Sequence, residues 1–89
     1  MYTADVEIFS DEPNAAVIRH PDRKFPGVLL QGDTLHALAR QAADAVVAVN
    51  SGDPDAAEEV ADLAARLDSL LSHYRTVLAA HGQKLPLPQ

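Results

Sequence analysis

Gly27-Val28-Leu29-Leu30-Gln31-Gly32-Asp33-Thr34-Leu35-His36-Ala37-Leu38 is the stretch on which the fold turns, because the hydrophobic period changes inside it. Val28-Leu29-Leu30 is a short apolar run closed in by Gly27 and Gly32. Its length fits a strand buried on both faces better than a helix. From Asp33 onward the apolar residues recur at steps of three and four. Leu35, Leu38, Ala39, Ala42, Ala45, Val46 and Val49 form one stripe of an amphipathic helix, with His36, Arg40, Ala43 and Asp44 off it. Asp33 is placed to cap the orphan amides of the first turn. At the far end Asn50-Ser51-Gly52 supplies a glycine for a left-handed C-cap.

Upstream of this switch the chain reads as strand and turn. Val6, Ile8 and Ser10 alternate with Glu7 and Phe9, the period of a half-buried strand. Ser10-Asp11-Glu12-Pro13-Asn14 is turn chemistry, and Ala16-Val17-Ile18-Arg19 returns as the second arm of a hairpin. Pro21 and Pro26 bracket a polar loop. Downstream, Asp53-Pro54 restarts the helical pattern, with Asp as cap and Pro at the first helical position. Val60, Leu63, Leu67, Leu70, Tyr74 and Val77 then follow at alternating steps of three and four, widened by Ala64, Leu71 and Leu78. Asp62 and Arg66 are spaced as an exposed ion pair. The helix should stop at His81-Gly82, ahead of an extended tail that alternates leucine with proline.

The expected fold is therefore α+β: a three-stranded antiparallel sheet packed on an antiparallel two-helix hairpin, βββαα. Strands are placed at about 5–10, 15–20 and 27–31, and helices at about 34–49 and 54–80. Residues 1–82 then form a single domain and 83–89 a mobile tail. At about 1.5 Å per residue the second helix is on the order of 15 Å longer than the first. Its leucine face then outruns its hairpin mate and needs cover from the sheet or from a second copy. A homodimer is expected.

Composition narrows the function classes. The chain has 89 residues, of which 47% are hydrophobic, four are aromatic and none is cysteine. A domain this short buries only about 60–65% of its unfolded surface, so its core is lean. Without cysteine there is neither a disulfide nor a thiolate zinc site. No basic-then-apolar leader and no apolar run of about 20 residues is present, so the expected place is the cytoplasm, with no membrane contact. The net charge of −6 weighs against a phosphate-neutralising nucleic-acid binder.

No catalytic, metal or cofactor site is legible. His20, His36, His73 and His81 offer no helical pair at metal-ligand spacing. The serines lack a glycine-flanked elbow. The carboxylates at 53–62 crowd a helix start, where solvation and the helix dipole account for them. The reading is a non-enzymatic interaction or regulatory protein. Its candidate partner-binding residues are Arg19, Arg23 and Lys24 in the basic loop and Leu63, Leu67, Leu70 and Tyr74 on the second helix. The acidic patch at 53–62 is a complementary docking surface for a basic partner. The alternative is a nucleic-acid-associated regulator acting through the basic loop at 19–24.

Phe25-Pro26-Gly27-Val28-Leu29-Leu30-Gln31-Gly32-Asp33-Thr34-Leu35, continued through Leu38 and Ala42, resembles the N-terminal module of HicB-type antitoxins. There a Pro-Gly strand and a Gln-Gly-Asp-Thr step lead into an amphipathic helix after an initial hairpin. The resemblance spans residues 5–48. It implies a βββα module covering a small basic, mRNA-cleaving toxin. This chain departs from the pattern in replacing the family's fourth strand with a long second helix, and no DNA-binding segment follows. The chain as a whole resembles small uncharacterised proteins of high-GC bacteria. On this reading Leu70→Asp converts an oligomer to a monomer or unfolds the chain. Light scattering that finds the wild type already monomeric at high concentration would count against the expected homodimer.

Overall fold

The computed structural model describes residues 1–87. Its elements follow as β1 (Glu7–Ser10), β2 (Ala16–Arg19), β3 (Gly27–Leu29), α1 (Gly32–Ser51) and α2 (Ala56–Ala80), in the expected βββαα order. The strands form an antiparallel meander, β1-β2-β3. Proline sets two of its turns by occupying the second position, where its fixed φ is already correct. The Ala15 amide donates to the Glu12 carbonyl at 3.1 Å around Pro13, and the Arg23 amide to the His20 carbonyl at 2.9 Å around Pro21.

Alternation along β1 turns Phe9 to the core, and a bulge then interrupts the register. Glu7 faces Arg19 and Ile8 faces Ile18, but the register then slips so that Ser10 faces Val17. Phe9 packs against the core, whereas Val6 and Ile8 are exposed. The third strand corrects the expectation of burial on both faces. With the order β1-β2-β3 it is an edge strand, and all three of its residues are exposed.

The core is small and sits where the last third of α2 crosses the sheet. Val17 and Leu78 are fully buried, Tyr74 nearly so, and Phe9, Val77, Leu85 and Leu87 pack around them. Full burial of one such aliphatic side chain contributes about 1.5–3 kcal/mol, so two of them make up a large share of a marginal fold. The Tyr74 hydroxyl donates to the Pro26 carbonyl at 2.7 Å, tying the helix to the start of β3. At the helix end His81 donates from Nε2 to the Phe9 carbonyl at 2.9 Å. Its ring meets the Phe9 ring edge-on, with centroids 5.3 Å apart. Leu85 and Leu87 correct the expectation of a mobile tail beginning at residue 83. They fold back onto the core, because an apolar residue at every second position can reach the same cluster. The rest of that tail, 88–89, lies outside the described residues.

Both helices end in the same way. Gly52 and Gly82 take left-handed φ values of 70° and 64°. The following amides, of Asp53 and Gln83, reach back to Ala48 and Leu78 at 3.0 and 2.9 Å. These are paired Schellman closures that only glycine enters without strain. The helix starts differ from expectation. Gly32 takes helical geometry itself, so α1 begins before Asp33, its N-cap is Gln31, and no side chain caps it. Asp33 instead accepts from the Thr34 amide at 2.8 Å within the first turn. Asp53 accepts from the Asp55 amide at 2.8 Å, and its carbonyl from the Ala56 amide at 3.1 Å. Asp53-Pro54-Asp55 is thus a tight turn ahead of α2. Arg66 donates across to Gln41 of α1 at 3.1 Å instead of bridging Asp62.

Burial pushes the Tyr74 phenol above the ordinary tyrosine range. A raised folded-state pKa means the stabilisation is complete below the unfolded value and is lost as pH rises through the folded one. Loss of helical signal is therefore expected above about pH 10, together with tyrosinate absorbance in a Tyr2→Phe background. Reversible ionisation of Tyr74 in a chain that stays folded would contradict this. Tyr74→Phe should cost about 1–3 kcal/mol in denaturant unfolding, because it leaves the Pro26 carbonyl without its donor.

Candidate partner-binding surfaces

The helices pack antiparallel, and α2 provides the main contact with the sheet. Along α1 the row facing α2 is Leu38, Ala45 and Ala48, all buried. Two grooves flank this contact on opposite sides. One is apolar, lined by Ala42, Ala45, Val46, Val49, Asn50, Val60 and Leu63. The other is polar and largely acidic, lined by Ala37, Arg40, Gln41, Asp44, Glu59 and Asp62, and continues past Val47 and Ser51 to Asp53. Within it the Glu59 Oε2 atom is shielded from solvent and accepts no hydrogen bond.

A third groove, of about 340 Å³, runs between β3 and α2 and is lined by Pro26, Gly27, Val28, Leu70, Leu71, Tyr74, Pro86 and Leu87. Its position divides the leucine face of α2. Leu63 is half-buried in the apolar helical groove, and Leu67 is 51% exposed. Leu70 is half-buried beside β3 and the tail, so Leu70→Asp tests the fold before it tests assembly. Tyr74 belongs to the core, at 6% exposure, and also lines this groove. The excess length of α2 is also smaller than expected. The helices have 20 and 25 residues, a difference of about 7.5 Å. The sheet and tail of the same chain cover that excess. The uncovered part of the seam is the earlier part, beside α1.

The basic loop does not act as one patch. Arg19 is bound to Glu7, with Nη2 at 2.6 Å and Nε at 2.7 Å from the same carboxylate oxygen, and its guanidinium lies 5.6 Å from the Phe9 ring centroid. Cross-strand register puts Glu7 directly opposite it. Arg23 and Lys24 are exposed, Lys24 lying 5.3 Å from the Phe25 ring centroid. His20 Nδ1 accepts the Asp22 amide of its own turn at 3.2 Å. Among the described residues no three His, Asp or Glu side chains gather in metal-binding geometry. No helix of the described residues is long and apolar enough to cross a membrane.

Sequence reasoning overlooked two features of this surface. Glu59 was read as one more acid at a helix start, and its shielding depends on α1, which no local pattern encodes. Leu35, Ala39, Ala42, Val46 and Val49 recur at steps of four and three. They form an outer row distinct from Leu38, Ala45 and Ala48, although linear spacing merges the two into one stripe.

Comparison with known proteins gives a match to a family model described as a family of unknown function (DUF6959), over residues 1–87. No curated protein and no solved structure matches.

With Arg19 neutralised within its own chain, Arg23 and Lys24 leave two free cations in the loop for phosphate contact. Any DNA binding through it should show a log–log salt slope no steeper than about −2 per chain. A markedly steeper slope that Arg19→Ala makes shallower would reinstate the loop as a nucleic-acid surface.

Proposed function

This chain belongs to DUF6959, a family of unknown function, and on that footing we propose that it is a non-enzymatic regulatory protein that holds a basic protein partner against the acidic groove between its helices. The observation that carries the reading is the groove that gathers Asp44, Glu59 and Asp62 against a single cation, Arg40. A lysine or arginine side chain from a partner would meet the exposed carboxylates of Asp44 and Asp62 there. The net charge of −6 supports the same choice of partner. The resemblance of residues 5–48 to HicB-type antitoxins gives the sharpest version, in which the partner is a small basic toxin and binding neutralises it. The nucleic-acid alternative is weaker, because Arg19 is already paired with Glu7.

The test is affinity capture from cells of the source organism with the wild type and with Asp44→Lys/Asp62→Lys, both exposed positions. One small basic protein should be retained by the wild type and fall at least about tenfold with the charge-reversed chain, the loss of roughly 1.4 kcal/mol or more. Equal retention by both chains, or retention of nucleic acid alone, would refute the groove as the working surface.

A further inference from the structure

Along the second half of α1 two alanines are buried while two valines beside them stand exposed. Ala45 and Ala48, facing α2, are 4% and 5% exposed, whereas Val46 and Val49, one position further round, are 58% and 56% exposed. Leu35 continues this outer row on α1, and Val60 and Leu67 form its counterpart on α2. The outward row is the one able to gain from burial.

The whole chain carries the same surplus. A folded monomer of 9.5 kDa exposes about 5,000 Å², whereas this chain exposes 6526 Å². The surplus, about 1,500 Å², lies partly on the extended N-terminal segment, and is of the size one subunit contributes to an obligate homodimer. The radius of gyration, 16.1 Å, exceeds the roughly 12 Å of a compact chain of this length.

We infer that the apolar face shared by Val46 and Val49 of α1 with Val60 and Leu67 of α2 is closed by a second copy of this chain, giving an antiparallel four-helix layer with a sheet at each end. Charge selects the occupant. Two copies each of charge −6 repel and can meet only where charge is absent. The lining of this groove contains no ionisable side chain, in contrast to the acidic groove on the opposite flank. Two parallel apolar rows on an antiparallel hairpin also map onto themselves under a two-fold axis, the requirement of an isologous contact. The inference is independent of the basic partner, which takes the other groove.

Sedimentation equilibrium and light scattering on the full chain test it. The wild type should show twice the 9.5 kDa chain mass, and Val46→Glu/Val49→Glu half of that. Val47→Glu, on the same helix but on the acidic side, should leave the doubled mass unchanged. A wild type at single-chain mass, or a double variant that keeps the doubled mass, overturns the inference. Should the double variant lose its helical signal, the wild-type melting temperature decides. A rise with protein concentration supports the dimer and constancy refutes it. The capture experiment for the basic partner reads Asp44 and Asp62, so either result can fail alone.

Discussion

Leu78 and Tyr74 reach from the last third of α2 onto Val17 at the centre of the middle strand, and the Tyr74 hydroxyl closes on the Pro26 carbonyl. This contact holds a hairpin of two four-residue strands, an exposed edge strand and two helices as one body. The sheet has only three short strands and is too small to persist without a helix on it. The helical hairpin leaves Leu35, Val46, Val49, Val60 and Leu67 exposed. Each half depends on the place where α2 crosses Val17. Phe9, His81, Leu85 and Leu87 seal that place from the sides and add little extent to it.

The two helices are positioned by what ends them. Gly52 and Gly82 close the last turns identically. The first closure reverses the chain at once into α2, and the second turns the tail back over Tyr74 and Leu78. Because α2 carries the main contact with the sheet, α1 stands beside the core with one flank apolar and the other acidic. That asymmetry gives the molecule two different faces for two different classes of contact.

Most of the element order was legible in the residues. The change from a period of two to one of 3.6 at Gln31-Gly32 marks the passage from sheet to hairpin, and both glycine closures follow from residue type and position. Less legible were features that depend on distant partners. Alternation separates Phe9 from Val6 and Ile8, but only the path of α2 shows that the Phe9 face is the buried one. Val28 and Leu29 read as buried because they are apolar, whereas strand order leaves them at an edge. Arg19 looked free until register placed Glu7 opposite it. For the candidate site, Leu63 and Leu67 were legible as surface and Tyr74 was not. One stripe of leucines is shared between core and surface, and only the path of the sheet shows where the division falls.

The contact between Val17 and Leu78 also has a cost in chain entropy. It closes a loop of roughly 60 residues, whereas the helices meet across a turn of about four, and the entropy of closure grows with the logarithm of that length. The hairpin is therefore the inexpensive part to assemble and the sheet the expensive one. Release of the sheet from α2 frees the largest share of conformational freedom. In this architecture cooperativity rests on a long-range clasp between two side chains, and the regular elements on either side of it act as its arms.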